Sequence, residues 1–268
     1  MYMEFYKLTE PPFNVTPDPK FLYMTEQHRT ALNHLLYGIR QGKGFVLLTG
    51  EVGTGKTTLC RKLLASLEEN FRTALILNPM LSETQLLRSI VSEFGIETRC
   101  RDRFTAMAEL NSFLLHLNTV GGEAVLIIDE AQDMSVGLLE MTRLLSNLET
   151  DSHKLLQIVL VGQPELRLKL RSPGLRQLDQ RIAVRYHIRP MSRSETGGYI
   201  RHRLNVVGGE KLSFGEDAVN EIYRHSGGTP RVVNTLGDKA LLAGYVKGTS
   251  LIDKSVIESA IHEMREAA

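Results

Sequence analysis

Cysteine is scarce in this sequence. Of 268 residues only Cys60 and Cys100 are cysteines, forty positions apart, with no His or Cys cluster around either. Such spacing argues against a disulfide framework or a thiolate metal site and fits a reducing cytoplasm. A basic excess is missing too: 32 Lys and Arg face 31 Asp and Glu, a formal net charge of +1. That balance argues against a general polyanion binder and leaves room only for a local basic patch. No uninterrupted apolar stretch approaches the ~20 residues that span a bilayer. The opening M-Y-M-E-F-Y-K-L lacks the basic start and apolar core of a secretory signal. A cytosolic protein is therefore expected, able to dock on a membrane complex through partners. Internal repeats and low-complexity tracts are also absent. What is present, 42% apolar and 24% charged residues, describes an ordinary globular chain of one large domain or two modest ones.

Residues 1–24 hold four of the nine prolines, in P-P-F-N-V-T-P-D-P, followed by Phe21 and Tyr23. This arm should be extended. Apolar residues at helical spacing predict a helix over 25–41, stopped by Gly42. Four continuous apolar runs follow, at 45–49, 74–78, 124–129 and 158–162, with a weaker fifth candidate at 184–188. Strands apolar at every position belong to a parallel sheet covered on both faces, so the pattern predicts a doubly wound α/β domain. After Pro190 the strand signals stop. Residues 191–268 read as a small all-helical second domain, with helices near 194–207, 216–226, 230–246 and 253–266, and residues 1–190 as the first domain with its arm.

The first strand runs directly into G-E-V-G-T-G-K-T, residues 50–57, a full match to G-x-x-x-x-G-K-[ST]. The phosphate cradle is then Gly50, Glu51, Val52, Gly53, Thr54 and Gly55. Its glycines let backbone N–H groups wrap phosphate at the start of a helix. Lys56 would reach the β and γ phosphates of ATP, Thr57 would bind Mg²⁺, and Thr58 would assist near the α phosphate. The third run ends in Asp129 and Glu130, at the carboxyl edge where parallel sheets bind ligands. Asp129 would hold the Mg²⁺ through water and Glu130 would deprotonate an attacking water. In S-G-G-T-P-R-V-V-N, 226–234, Gly227 and Gly228 close one helix, Thr229 caps the next and Pro230 opens it. Arg231 is left over, either surface charge or a cation aimed at something.

These features together resemble the AAA+ ATPases, and within them the general secretion pathway protein A family. The resemblance rests on F-Y-x-L-x-x-x-P-F at 5–13, T-P-D-P-x-F-L-Y at 16–23, G-x-V-G-T-G-K-T-T at 50–58, I-I-D-E-A-Q at 127–132, V-G-Q-P-E-L at 161–166, L-R-Q-L-D-Q-R-I at 175–182 and G-G-T-P-R-V-V-N at 227–234. It implies a P-loop NTPase of AAA+ type, with a five-stranded parallel sheet and a helical lid. ATP and Mg²⁺ would be bound for hydrolysis in the service of a bacterial secretion, pilus or exopolysaccharide export system. It makes Gln163 a polar sensor of the γ phosphate and Arg231 a second sensor carried by the lid. Arg181, with Arg176 as the other candidate, becomes the arginine finger reaching a neighbour's nucleotide, and Pro12, Phe13 and Tyr23 become adenine-side packing. Longer family members add a membrane-spanning segment and a periplasmic portion. This chain is similar to the short cytosolic branch.

A finger acting in trans implies a ring or filament with nucleotide at subunit boundaries. Residues 151–205 hold eleven Lys or Arg against four acids, a net of +7, while residues 121–150 hold six acids against Arg143, a net of −5. Such faces could steer self-association, or they could be plain solvated surface. The basic stretch also keeps open a second class, a transposition-regulator-like ATPase assembling on DNA, with Arg167, Lys169 and Arg171 on phosphates. A third is a switch ATPase that binds a protein partner and translocates nothing.

Overall fold

The structure is a computed structural model and describes residues 1–14, 18–97, 102–150, 153–209 and 211–266. Thr16, Pro17, Cys100 and Asp151, used above, lie outside the described residues. In chain order the elements are α1 (Tyr2–Tyr6), α2 (Glu26–Arg40), β1 (Phe45–Gly50), α3 (Lys56–Leu64), β2 (Phe71–Ile76), α4 (Glu83–Glu93), α5 (Arg103–Thr119), β3 (Glu123–Ile128), α6 (Val136–Leu145) and β4 (Leu156–Gly162). They continue with α7 (Pro164–Leu170), α8 (Arg176–Arg181), β5 (Ile182–Ile188), α9 (Arg193–Val206), β6 (Ser213–Phe214), α10 (Glu216–Ser226), α11 (Pro230–Val246), β7 (Leu251–Ile252) and α12 (Lys254–Glu266).

The chain forms two compact units. One comprises residues 28–50 and 59–188, the other residues 1–27, 51–58 and 189–268. The first is built on five parallel strands in the order β2-β3-β4-β1-β5. Every residue of β1 and β4 is buried. With no alternation to choose a face, both faces must be covered by protein. One face packs Phe45, Leu47, Leu126, Ile128, Ile158 and Leu160 against apolar residues of α4 to α8. The opposite face meets α2, where a Cβ at Gly38 would lie 2.5 Å from Val46 Cγ2. Caps set where the helices start. Ser82 and Gln85 form a reciprocal capping box on α4, and Asp102 and Ser135 cap α5 and α6. The parallel ladder aligns Thr49 with Gly162 and Ile128 with Leu160. The carboxyl ends of β1, β4 and β3 therefore lie side by side, carrying Gly50, Gln163 and Asp129.

The second unit has its own apolar core, contributed by α9 to α12 and by Tyr6, Leu8, Phe13 and Phe21 of the arm. The arm, grouped with the α/β domain from sequence, packs among the C-terminal helices. Phe13 is 2% exposed, edge-on to Phe214 at 5.9 Å, with its ring against Gly237. Arg203, 3% exposed, stacks its guanidinium 4.5 Å from the Phe21 ring centroid and donates to the Tyr199 hydroxyl at 2.8 Å and the Asn14 carbonyl at 3.2 Å. Tyr199 in turn donates to Asn234 Oδ1 at 2.8 Å. The expectation of a purely helical domain needs one correction. Ser213–Phe214 and Leu251–Ile252 pair as a two-residue parallel ladder, too short to leave a strand pattern in the sequence.

Candidate functional site

The phosphate loop leaves β1 at Gly50 and enters α3 at Lys56. Gly53 and Gly55 have φ of 77° and 89°, the left-handed region that L side chains avoid. Between them the loop closes on one carbonyl. The Glu51 oxygen accepts from the Thr54 amide at 3.3 Å, the Thr54 hydroxyl at 2.8 Å and the Lys56 ammonium at 3.0 Å. Lys56 is 6% and Thr54 1% exposed. A buried ammonium on a loop carbonyl, at the N-terminus of a nine-residue helix, is a cradle suited to an anion that outcompetes the carbonyl. Thr57 and Thr58 occupy the first turn of α3, half-buried, and Glu51 and Val52 are exposed at the loop's start.

Arg231 meets this loop within the same unit. A Cβ at Gly53 would come 2.6 Å from Arg231 Cβ and 3.4 Å from Thr229 Cγ2. Only a glycine at position 53 lets the start of α11 lie against the loop. Arg231 is exposed; its carbonyl accepts from the Thr235 hydroxyl at 3.1 Å, and its side chain forms no hydrogen bond or ion pair among the described residues. Thr229 occupies the N-cap position, yet its side chain makes no cap hydrogen bond. Its γ-methyl faces Gly53, so the capping role expected of it is not fulfilled. Pro230 opens the helix as expected.

The acidic edge belongs to the α/β unit. Asp129 is 2% exposed and its Oδ1 accepts from the Glu130 amide at 2.9 Å. Glu130 adopts φ 51°, ψ 36°, a left-handed conformation that costs a non-glycine residue about 1–2 kcal/mol. It folds the chain into a short 3₁₀ turn over Ala131–Asp133 and turns the Glu130 carboxylate towards the end of β4. There Gln163 precedes α7, and its side-chain amide donates to Glu130 Oε2 at 3.5 Å. Gln132, given no role from sequence, lies between them. Its Nε2 donates to Glu130 Oε2 at 2.8 Å, and its Oε1 accepts from the Gln163 backbone amide at 3.0 Å. The signal was present in the motifs at 127–132 and 161–166, which place one glutamine at each of two adjacent strand ends.

The remaining residues fall in three settings. Arg181 is held by its own chain, donating to Ser146 Oγ at 3.0 Å and Asn147 Oδ1 at 2.6 Å, whereas Arg176 is exposed and makes no such bond among the described residues. Phe13 and Tyr23 are packing residues: Tyr23 lies edge-on to Tyr199 at 6.2 Å and its hydroxyl abuts Gly198, while Pro12 is buried beside Phe13. Of the three cations considered for DNA, Lys169 is engaged by the carbonyls of Gln132 and Met134 and Arg167 and Arg171 are exposed. The Thr57 hydroxyl and the Asp129 carboxylate, one in each unit, are each hard oxygen donors of the kind that suits Mg²⁺.

A family model described as an AAA domain matches residues 39–170. General secretion pathway protein A of Aeromonas hydrophila is 47% identical over 265 residues, 98% of this chain and 48% of that protein. The chain thus spans about half the length of this curated relative. Among solved structures, Cdc6p from Pyrobaculum aerophilum has a TM-score of 0.71 at 18% identity, covering 96% of this chain and 71% of that one. The Aeropyrum pernix ORC2 protein has 0.70 at 18%, covering 95% and 71%, and the Thermotoga maritima RuvB motor 0.58 at 19%, covering 89% and 69%. At these identities the structural likeness speaks to fold alone. Among the described residues no helix is long and apolar enough to cross a membrane. The chain belongs to the AAA+ P-loop NTPase family and is similar along nearly its whole length to general secretion pathway protein A.

Proposed function

We propose that this protein is an ATPase that binds and hydrolyses Mg-ATP to drive assembly or regulation of a bacterial secretion, pilus or exopolysaccharide export system. The observation that carries hydrolysis, beyond binding, is a second carboxylate next to the buried Asp129. Glu130 is turned out of the strand and held by the side-chain amides of Gln132, in the turn that follows it, and of Gln163, at the adjacent strand end. The loop amides and Lys56 bind the phosphates, Gln163 and Arg231 contact the γ phosphate, and the arm carrying Pro12 and Phe13 backs the base. Thr57 and, through water, Asp129 would hold Mg²⁺, which when bound would supply charge neutralisation at the phosphates. Glu130 takes a proton from the attacking water. Nucleotide at a subunit boundary is completed by Arg176 or Arg181 of the neighbour, giving a ring or filament. The cellular role rests on the likeness to general secretion pathway protein A.

Lys56→Ala abolishes nucleotide binding in a calorimetric titration. Glu130→Gln binds ATP and accumulates as a nucleotide-bound oligomer in size-exclusion chromatography, a form suited to pulling out the partner. Normal turnover by Glu130→Gln would show the base assignment to be wrong. The second reading, assembly on DNA, draws on exposed Arg167 and Arg171. It requires that duplex DNA stimulate hydrolysis and that added salt remove the effect. A salt-insensitive ATPase indifferent to DNA discards it.

A further inference from the structure

We infer that Gln132 is a positioning residue for the hydrolytic step, an amide clamp that sets the orientation of the Glu130 carboxylate from a fixed main-chain anchor just beyond the end of β4. The inference rests on the proposed role of Glu130 as base.

Four observations build the clamp. Gln132 uses both ends of its side chain: Oε1 accepts the Gln163 backbone amide at 3.0 Å, and Nε2 donates to Glu130 Oε2 at 2.8 Å. The anchor is a main-chain group at the start of α7, so it does not depend on what the Gln163 side chain is bound to. Gly162 makes the space, since a Cβ there would lie 2.8 Å from Gln132 Oε1 and 3.3 Å from the Gln132 amide. Lys169 holds the turn from the far side by donating to the Gln132 and Met134 carbonyls. The object being held needs holding, because Glu130 sits in a left-handed conformation and presents its carboxylate at a turn, away from the strand's support.

A carboxylate with one oxygen engaged by a fixed donor keeps the other oxygen at a defined angle for the water it must accept a proton from. Misplacement of a reacting group by about 1 Å costs on the order of 100-fold in rate. Gln163 has a different part, with its side-chain amide reaching the same oxygen at the longer distance of 3.5 Å. Its departure to a phosphate leaves the Gln132 clamp in place.

The test is Gln132→Met, which keeps length and volume and removes both hydrogen bonds. ATP turnover should fall about 10- to 100-fold, with KM for ATP and the affinity for a non-hydrolysable analogue within about twofold of the parent. Gln132→Asn, one methylene short, should not restore turnover. Gly162→Ala displaces the clamp from the other side and should reproduce the loss, and Gly162→Ala with Gln132→Met should be no slower than the worse single variant. Normal turnover in Gln132→Met beside an inactive Glu130→Gln would overturn the clamp and leave the base assignment standing. Normal turnover in Glu130→Gln would remove both. A Gln132→Met variant whose KM or analogue affinity changes as much as its turnover would show a binding or structural role, against the proposal.

Discussion

Gly53 and Arg231 are 178 positions apart and meet Cβ to backbone. Gly53→Ala incurs two costs: a left-handed φ of 77°, about 1–2 kcal/mol for any L side chain, and a collision with the Arg231 stem. Gly121 has φ of 76° and open space around it, so Gly121→Ala incurs only the first. Thermal denaturation of the pair should therefore show Gly53→Ala as the less stable, and nucleotide affinity should fall in that variant alone. For Arg231 a cation in the first turn of a helix is mildly unfavourable, and the side chain has no protein partner offsetting this among the described residues. Arg231→Ala should retain nucleotide binding and lose the ATP dependence of assembly, read by light scattering with and without ATP. Unchanged coupling would return Arg231 to surface charge.

At the scale of elements, α9 supports the arm. Arg203 is buried and forms no ion pair among the described residues; an aromatic face, a hydroxyl and a carbonyl engage it, while its Nε is left without a hydrogen-bond partner among those residues. Arg203→Ala removes the stem packing as well as the bonds and should cost about 2–3 kcal/mol. Arg203→Lys should recover little of it, because the planar fork and the stacking are lost. Two titrating neighbours bound the stability of this unit. Burial raises the Tyr199 hydroxyl above its usual value of 10.0, against the opposing pull of Arg203 and the Asn234 bond. The phenol must stay neutral in the folded state, so stability is full below pH 10 and declines as pH rises above it. Burial, helped by Arg203, lowers His202 below 6.5. Stability from this residue is present above pH 6.5 and is lost as pH falls through the lower folded value. Denaturation of the protein across pH should show a plateau between these limits. A decline that begins well inside them would contradict the burial of these side chains. Tyr2 and Tyr6 are raised by burial too, so the alkaline limb should be steeper than one tyrosine allows.

Elements differ in how openly the sequence announces them. β1 and β4 are buried at every residue and read as unbroken apolar runs. β2, expected at 74–78, spans Phe71–Ile76. As the edge of the sheet it exposes Arg72 and half-exposes Thr73, and those polar residues hide its beginning. β5, the other edge, starts at Ile182 and alternates, which is why only its later part stood out. Pairing in β6 and β7 depends on backbone groups brought together by the helices around them, and two residues carry no periodicity.

For the whole molecule, the net of +7 over 151–205 and −5 over 121–150 gives a prediction about association. Assembly in ATP steered by such segments should weaken as salt shortens the screening length from about 10 Å at 0.1 M to about 3 Å at 1 M. Sedimentation of Glu130→Gln in ATP measures this, and an oligomer indifferent to salt would place the contacts elsewhere. Among the two finger candidates, Arg176 has its side chain available and Arg181 is tied to Ser146 and Asn147. Loss of turnover with intact binding should therefore be deeper in Arg176→Ala than in Arg181→Ala.

The amino-acid sequence by itself determined the phosphate loop, the pair Asp129 and Glu130, the parallel α/β core and the start of α11 at Pro230. Each follows from local chemistry: glycine's freedom at positive φ, apolar runs that must be buried on both faces, and a proline without an N–H. What only the tertiary structure decided is which distant residues share a space. Gln132 bridges Glu130 and Gln163 because β3 and β4 are neighbours in the sheet. The arm's aromatics went to the helical core because Arg203, Gly237 and Phe214 offered them a stacking cation, a flat gap and an edge. Side chains meet through packing across long sequence separations, and no local pattern encodes the partner.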